Sequence, residues 1–245
     1  MSAILEASNL TKKFGEVLAV DGVSVSFDED EVCAVIGPNG AGKTTFFNLL
    51  TGSLQPTAGT ITFKDEEITG HSAAKIARQG VMRSYQITQL FEKLTVLENV
   101  RIAVQTDSNS YNFWNDASDM PELIEEAEEV LEYVGLEAKA DVPAANLSHG
   151  EQRTLEIAIA LGTHPEILLL DEPSSGMSPE ETLDVIDIIH DLADDFPIVL
   201  VEHKMSVVME VVDRIVVLHN GQKIADGKPE DVRQNETVRE VYIGE

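Results

Sequence analysis

The chain has 245 residues and 43% hydrophobic content, enough for one large α/β domain or two small ones with a sizeable core. Its 44 acidic and 17 basic residues give a formal net charge of −27, and the acidic residues are spread along the whole chain. This balance argues against a general nucleic-acid role, because the sequence offers no basic stripe to neutralise a phosphate backbone.

The first elements are predicted to be short strands separated by turns. Strands are expected over residues 4–10, 17–27 and 32–36, and the second is expected to break at Asp21 and Gly22. The third strand is apolar throughout and leads directly into a glycine-rich segment.

That segment fits the phosphate-binding template G-x-x-x-x-G-K-[ST], with a strand before it and a helical pattern after it. Glycines let backbone N–H groups curve around phosphate oxygens, and the helix N-terminus adds a partial positive charge. Lys43 supplies a charge to the outer phosphates, and Thr44 offers a hydroxyl to Mg²⁺. A purely structural turn is disfavoured because both residues are in register. The predicted nucleotide-binding residues are Gly37, Pro38, Asn39, Gly40, Ala41, Gly42, Lys43, Thr44 and Thr45.

The pattern then returns to strands and changes character in the middle of the chain. Strands are predicted over 59–63 and 81–85, with a short helix over 72–78 between them. Residues 87–164 are predicted to be a helical insertion. Its expected parts are helices over 96–104 and 121–134, a polar irregular stretch over 105–120, a loop over 141–146 and a helix opening at Ser148.

Two apolar runs near the end of the chain, residues 167–170 and 198–201, are typical of strands buried on both faces. Between them, Ser178 and Glu181 predict a capping box at the start of a helix. The closing elements are strands over 215–219 and 222–225 and helical residues up to 243. This alternation predicts an α/β fold built on a parallel sheet.

Adjacent carboxylates, Asp171 and Glu172, follow the first of these strands. In a phosphate-binding loop fold, an acid at a strand end holds magnesium, and a second acid can polarise the attacking water. The alternative is that acids stand there only because acids are abundant in this chain.

Residues 147–152 support two compatible interpretations. Structurally, Ser148 and Glu151 form a capping box for the following helix. Functionally, Ser148 and Gly150 at a helix N-terminus could bind a second phosphate.

Together these motifs resemble those of the nucleotide-binding ATPase of ABC transporters. In that family, residues 37–44 would be Walker A, residues 167–172 Walker B and residues 147–152 the signature motif. The other matching positions are the Q-loop glutamine Gln86, the D-loop at 174–177, the switch histidine His203 and the adenine-stacking aromatic Phe14.

The resemblance covers nearly the whole chain and implies a P-loop NTPase fold with a parallel-sheet core. Residues 1–245 would form a single ABC ATPase domain. Residues 1–86 and 165–245 would be the nucleotide-binding core with an antiparallel β subdomain, and residues 87–164 the helical subdomain with the signature.

The resemblance also implies hydrolysis of ATP with Mg²⁺. Glu172, His203 and Gln86 would be catalytic: Glu172 would activate water and His203 would sense the γ-phosphate. Thr44, Gln86 and Asp171 would hold the metal.

In the family geometry, Ser148 and Gly150 would close the site of a second ATPase subunit, identical or paralogous. Transmembrane permease subunits would be further partners, with an extracytoplasmic solute-binding protein acting through them. The expected location is cytoplasmic, peripheral on the inner face of the cell membrane.

Within the family, the resemblance is nearest to ATPases of branched-chain amino acid uptake. The segments that carry it are residues 83–91, 94–100, 155–158, 175–179 and 238–245. Urea or amide importers and lipopolysaccharide exporters share parts of this pattern. A soluble ABC-type ATPase, for example in iron–sulfur assembly or DNA repair, an exporter ATPase and a regulatory module without turnover are the alternatives.

Three positions depart from the common family pattern. His149 stands where glycine is usual and Glu151 where glutamine is usual, although uptake relatives also carry a bulky residue at the first position. Met177 occupies the D-loop position usually held by Asp, which puts in doubt a dimer contact assigned to that Asp.

The remaining features concern surface and compartment. Cys33, the single cysteine, excludes an internal disulfide and is expected to be a buried small hydrophobe. The N-terminus lacks a signal-peptide pattern and no apolar run approaches a membrane span, so a soluble intracellular protein is expected. Aromatic residues at 111–114 could face a partner or pack on the chain's own helices. The acidity favours a salt-adapted host over a merely acidic protein.

Overall fold

The computed structural model describes residues 3–84, 90–106 and 121–243. Its strands are β1 (Ala3–Phe14), β2 (Val17–Asp28), β3 (Val32–Ile36), β4 (Ala58–Phe63), β5 (Glu66–Glu67), β6 (Val81–Ser84), β7 (Ile167–Asp171), β8 (Ile198–Val201), β9 (Arg214–His219) and β10 (Gln222–Gly227). Its α-helices are α1 (Lys43–Leu50), α2 (Ala73–Arg78), α3 (Val96–Gln105), α4 (Pro121–Tyr133), α5 (His149–Leu161), α6 (Pro179–Ala193), α7 (Met205–Val211), α8 (Pro229–Gln234) and α9 (Glu236–Ile243).

The strands form two sheets. One is four-stranded and antiparallel in the order β2-β1-β4-β5. The other has the order β10-β9-β3-β8-β7-β6 and is parallel from β9 to β6. Strand β10 runs antiparallel to β9 because Asn220 and Gly221, both at positive φ, join the two in a tight hairpin. The predicted parallel core is therefore confirmed, with one antiparallel edge strand added.

Strands β3, β7 and β8 are buried at every position, as their continuous apolar sequences predict. Alternation along β3 sends Val32, Ala34 and Ile36 to one hydrophobic cluster and Cys33 and Val35 to the other. The first cluster joins this sheet to the helices α3 to α6, and the second joins it to α1 and the antiparallel sheet. Both faces of the central sheet are therefore covered.

Cys33 is fully buried in the second cluster, as expected for a small hydrophobe. Burial, with smaller contributions from nearby charges, raises the pKa of its thiol far above the ordinary value. The thiol therefore stays protonated and unreactive at physiological pH.

Three local predictions were wrong or incomplete. Strand β2 continues through Asp21 and Gly22, because the pairing with β1 absorbs the irregularity as a register shift. The two-residue strand β5 and the helix α7 were not predicted. Helix α7 has no side-chain cap and is rich in β-branched valines, so its sequence gives little helical signal.

Helices α3, α4 and α5 pack together in the middle of the chain, where residues 87–164 were predicted to be helical. The Thr95 hydroxyl and the Glu98 carboxylate form a capping box that starts α3. The division of the domain into two subdomains stays a prediction. Among the described residues, no helix is both long and apolar enough to cross a membrane.

Candidate nucleotide-binding site

The loop between β3 and α1 has a backbone path that requires glycine at two positions. Gly37 has a φ of +155°, and an added Cβ would overlap the carbonyl oxygen of Leu218 at the end of β9. Gly42 has a φ of +103°, and a Cβ there would overlap the carbonyl oxygen of Ala19 in β2. Both sheets therefore press on this loop and fix its shape.

Lys43 is the first residue of α1 and is 8% exposed. Its ammonium group donates to the carbonyl oxygen of Gly37 at 2.6 Å and to that of Pro38 at 3.1 Å. A positive charge thus lies inside the loop where the template places phosphate, which fits a triphosphate ligand. Thr44 is exposed and Thr45 half-buried beside it.

Phe14 lies at the end of β1 and is 47% exposed, with the ammonium group of Lys12 5.1 Å from its ring centre. It pairs with Val17 across the β1–β2 hairpin, the hairpin whose Ala19 also contacts the phosphate-binding loop. An exposed ring is available for stacking, and its contact with adenine stays a prediction.

Asp171 is buried and forms an ion pair with Arg83, which is 7% exposed and lies on the neighbouring strand β6. The same guanidinium donates to Asn48 Oδ1 at 2.6 Å and stacks over the ring of Phe47 at 5.7 Å. Arg83 therefore connects helix α1 to the end of β7. The sequence reasoning assigned Asp171 to magnesium and missed this cation; a lone arginine in a strand that leads to the Q-loop was the available signal.

Glu172 and His203 come from the ends of adjacent strands β7 and β8. Glu172 has a φ of +51°, and its N–H donates to the carbonyl oxygen of Val201 at 2.8 Å. Its Oε2 lies 4.0 Å from His203 Nδ1, with the imidazole more than half exposed. The structure therefore brings the two predicted catalytic side chains together at the carboxyl ends of β7 and β8.

The predicted capping box at the start of α5 is confirmed. Ser148 Oγ accepts from the N–H of Glu151 at 3.2 Å, and Glu151 Oε2 accepts from the N–H of Ser148 at 2.8 Å. The Ser148 hydroxyl also donates to Glu181 Oε1 at 3.3 Å.

Glu181 contacts the start of two helices, α5 and α6. A Cβ on Gly150 would be 2.6 Å from Glu181 Oε1, so this carboxylate lies directly against the backbone of Gly150. The N–H of Ser178 donates to Glu181 Oε2 at 2.9 Å. Hydrogen bonds from Ser178, and then from Ser148, hold the pKa of Glu181 below its ordinary value. One carboxylate therefore caps α6 and also occupies the N-terminus of α5.

The unusual residues His149 and Met177 have structural explanations. The imidazole of His149 packs on the D-loop, since a Cβ on Gly176 would lie 2.7 Å from its Nε2. Met177 is 9% exposed and belongs to the hydrophobic cluster that includes Val185 and Ile189. The methionine therefore packs inside its own chain.

Some predicted features lie outside the described residues, namely Gln86 and the aromatic residues at 111–114. Among the residues that the structure does describe, no group of three His, Cys, Asp or Glu side chains could hold a metal. Of the residues predicted to hold magnesium, the structure describes Thr44 and Asp171, whose hydroxyl and carboxylate oxygens suit this ion together with water and phosphate oxygens.

Comparison with known proteins identifies the family. A family model described as "ABC transporter" matches residues 20–175, which is more than half of the chain. The chain belongs to the ABC transporter family. A second model, described as the branched-chain amino acid ATP-binding cassette transporter, matches residues 222–245.

Curated relatives in this family match over nearly their full lengths. The chain is 44% identical to the high-affinity branched-chain amino acid transport ATP-binding protein BraF of Pseudomonas aeruginosa, with 99% of this chain and 98% of BraF covered. It is 40% identical, at the same coverage, to the protein LivG of Escherichia coli strain K12, which carries the same description.

Solved structures of ABC cassettes share the fold. A nucleotide-free ATP-binding cassette from an ABC transporter matches with a TM-score of 0.88 at 32% identity over 100% of both chains. A structure of the ADP conformation of the cassette MJ1267 gives 0.89 at 33% identity over 100% of both chains. A dimeric bacterial ABC transporter cassette gives 0.78 at 26% identity over 91% of this chain and 98% of that chain. The predicted ABC ATPase fold is confirmed, and the chain is an ATP-hydrolysing protein of this family.

Proposed function

We propose that ATP hydrolysis by this chain powers the import of branched-chain amino acids or a related small polar solute. The observation that carries the proposal is the full-length similarity to BraF and LivG. The match of residues 222–245 to the branched-chain amino acid ATP-binding cassette transporter model also supports it.

In this proposal each of the predicted side chains contacts a different part of ATP or the attacking water. Phe14 stacks on the adenine, and Lys43 turns from its own loop carbonyls to the outer phosphates. Glu172 orients or deprotonates the attacking water, and His203, 4.0 Å away, contacts the γ-phosphate.

Thr44 and Asp171, with Gln86, are the proposed magnesium ligands. When bound, the ion neutralises charge that develops on the transferred phosphoryl group. Arg83 already neutralises one side of Asp171, so the aspartate is held at the strand end by protein contacts.

A second ATPase subunit, identical or paralogous, completes the site in this proposal, with Ser148 and Gly150 of each protomer facing the ATP of the other. Similarity to a dimeric bacterial cassette supports this arrangement. Permease subunits would anchor the pair at the cytoplasmic face of the membrane, and an extracytoplasmic solute-binding protein would deliver solute to them.

The test is ATP-driven uptake by proteoliposomes that contain the chain, its permease subunits and the binding protein. We expect uptake of labelled leucine that is lost with Lys43→Ala. Uptake of a different solute class would contradict the branched-chain assignment. ATP hydrolysis that is insensitive to the permease and binding protein would contradict a transport role.

We also propose that the surface is adapted to molar salt, on the basis of the net charge of −27. At about 1 M salt the Debye length falls to about 3 Å, so repulsion between acidic residues is largely screened. The unfolding midpoint should therefore rise in molar KCl, and an equal or lower midpoint would contradict the proposal.

A further inference from the structure

Ser174, in the D-loop, has each of its polar groups bound by the residues that flank His203. Its N–H and hydroxyl donate to Glu202 Oε1 at 3.0 and 2.5 Å. Its carbonyl oxygen accepts from the ammonium group of Lys204 at 2.8 Å. Ser174 is fully buried, so these contacts replace all of its hydration. The D-loop and the switch segment are therefore joined directly.

Glu202 is the centre of this junction. It is fully buried, and its second oxygen, Oε2, accepts from the N–H groups of His203 at 2.9 Å and Lys204 at 3.2 Å. A buried carboxylate is costly unless it is fully hydrogen-bonded. Here one oxygen binds the loop after β7 and the other binds the loop after β8, so the carboxylate is satisfied only when both loops are in place.

The two loops that Glu202 joins carry the residues proposed for catalysis. Ser174 is linked to Glu172 through a tight turn in which the N–H of Ser175 donates to the carbonyl oxygen of Glu172 at 3.0 Å. Glu172 has a left-handed backbone that surrounding structure must hold. We propose that Glu202 is a positioning residue that sets the distance between Glu172 and His203 for ATP hydrolysis.

This inference rests on the proposed roles of Glu172 and His203. A glutamine at position 202 has the same shape but only one accepting oxygen. Its NH₂ group would face either Ser174 or the two N–H groups of His203 and Lys204, so the backbone N–H on that side would lose its acceptor.

The test compares purified Glu202→Gln with the unaltered chain. We expect the kcat for ATP hydrolysis to fall by about 10- to 100-fold, because a small misplacement of reacting groups costs about this much. The dissociation constant for ATP should change by less than about 2-fold, since uniform binding is left in place. A wild-type kcat would overturn the inference.

A double variant separates positioning from general loss of stability. If Glu202 acts through Glu172, then adding Glu202→Gln to Glu172→Gln should lower the residual rate by less than about 2-fold. Fully additive losses would overturn the route through Glu172. A wild-type rate in Glu172→Gln alone would contradict the assigned base, whereas an impaired Glu172→Gln beside a wild-type Glu202→Gln would overturn only this inference.

Glu31→Gln is the matched control, because this carboxylate is also largely buried and is paired with Arg214 at 3.1 Å. Glu31 precedes β3, at the end of this strand that lies away from the phosphate-binding loop. The Glu31→Gln variant should leave kcat unchanged. Ser174→Ala decides the matter if Glu202→Gln does not fold, since it removes only the 2.5 Å hydroxyl contact. A loss of kcat with unchanged ATP affinity supports the inference, and an unchanged kcat in this folded variant overturns it.

Discussion

The N-termini of α1 and α5 were both predicted to bind phosphate, and the structure shows opposite charges around them. At α1 the first turn has no acidic residue, and the ammonium group of Lys43 lies in the loop. At α5 the first turn contains Glu151, and the carboxylate of Glu181 already accepts from Ser148. One end is therefore prepared for an anion, while the other is occupied by an anion from its own chain. A helix end indicates where an anion can bind, and its neighbours decide which anion binds.

The largest expected effect is on stability, and it comes from the ion pair of Arg83 and Asp171 that connects α1 to the end of β7. Arg83→Met leaves Asp171 buried without its partner, so the free energy of unfolding should fall by about 3–5 kcal/mol. Urea unfolding measures it. Adding Asp171→Asn should recover part of the loss, because the buried charge is then removed; no recovery would mean that the ion pair is not the cause.

Lys43→Ala removes the positive charge at the N-terminus of α1. Removing a preorganised donor from a charged site costs about 100- to 1,000-fold, so kcat/KM for ATP should fall by this factor. Steady-state ATP hydrolysis measures this change. Lys204→Ala would be a poor control, because the ammonium group of Lys204 binds the D-loop at Ser174. Lys75→Ala, at an exposed position of α2, is a suitable control and should have no effect.

Glu181→Gln tests the other helix end, because it removes a negative charge beside the N-terminus of α5. Removing the charge should weaken the contact of residue 181 with Ser148 and Gly150 and make this helix end less negative, so the ATP concentration for half-maximal association should fall by about 5-fold, the lower end of typical coupling. Association is measured by light scattering in a Glu172→Gln background. Glu180→Gln changes the charge equally at an exposed neighbour, and an equal shift in both variants would assign the effect to net charge alone.

The smallest effect concerns how α4 is held on α6, the helix that Glu181 caps. The Tyr133 hydroxyl donates to the carbonyl oxygen of Asp191 at 3.0 Å and to Asp195 Oδ2 at 2.9 Å. Tyr133→Phe should lower the free energy of unfolding by about 1 kcal/mol.

The same tyrosine predicts a pH dependence. Burial, with the hydrogen bond to Asp195, raises the pKa of Tyr133 to about 12. The folded chain holds this proton more tightly than the unfolded chain, so the contribution is complete below the ordinary pKa of a tyrosine and is lost as pH rises toward the folded value. Unfolding at pH 8 and at pH 11 should show a smaller difference between wild type and Tyr133→Phe at the higher pH. An unchanged difference would contradict the coupling.

Local signals predicted most of the fold. The capping boxes at Ser148 and Ser178 and the continuous apolar strands β3, β7 and β8 need only neighbouring residues, and the structure contains all of them. The phosphate-binding loop was recognisable for the same reason, because its motif and its flanking elements are contiguous.

The contacts that were missed join residues far apart in the chain. Arg83 meets Asp171 across 88 positions and Glu202 meets Ser174 across 28, so each pair depends on strand order and register. A sequence indicates that strands end near one another but not which polar side chains then face each other. Glu181 was predicted as a helix cap, and only the packing of α5 on α6 gives it the second contact with Ser148.

The left-handed backbone of Glu172 has a consequence for anyone who would engineer this protein. A non-glycine residue at a φ of +51° is held in a conformation that glycine and asparagine adopt at lower cost. Replacing Glu172 with glycine would relax the backbone and remove the carboxylate together. A screen that rewards heat resistance alone would therefore enrich inactive variants at this position, and selection for thermostability needs a hydrolysis assay beside it.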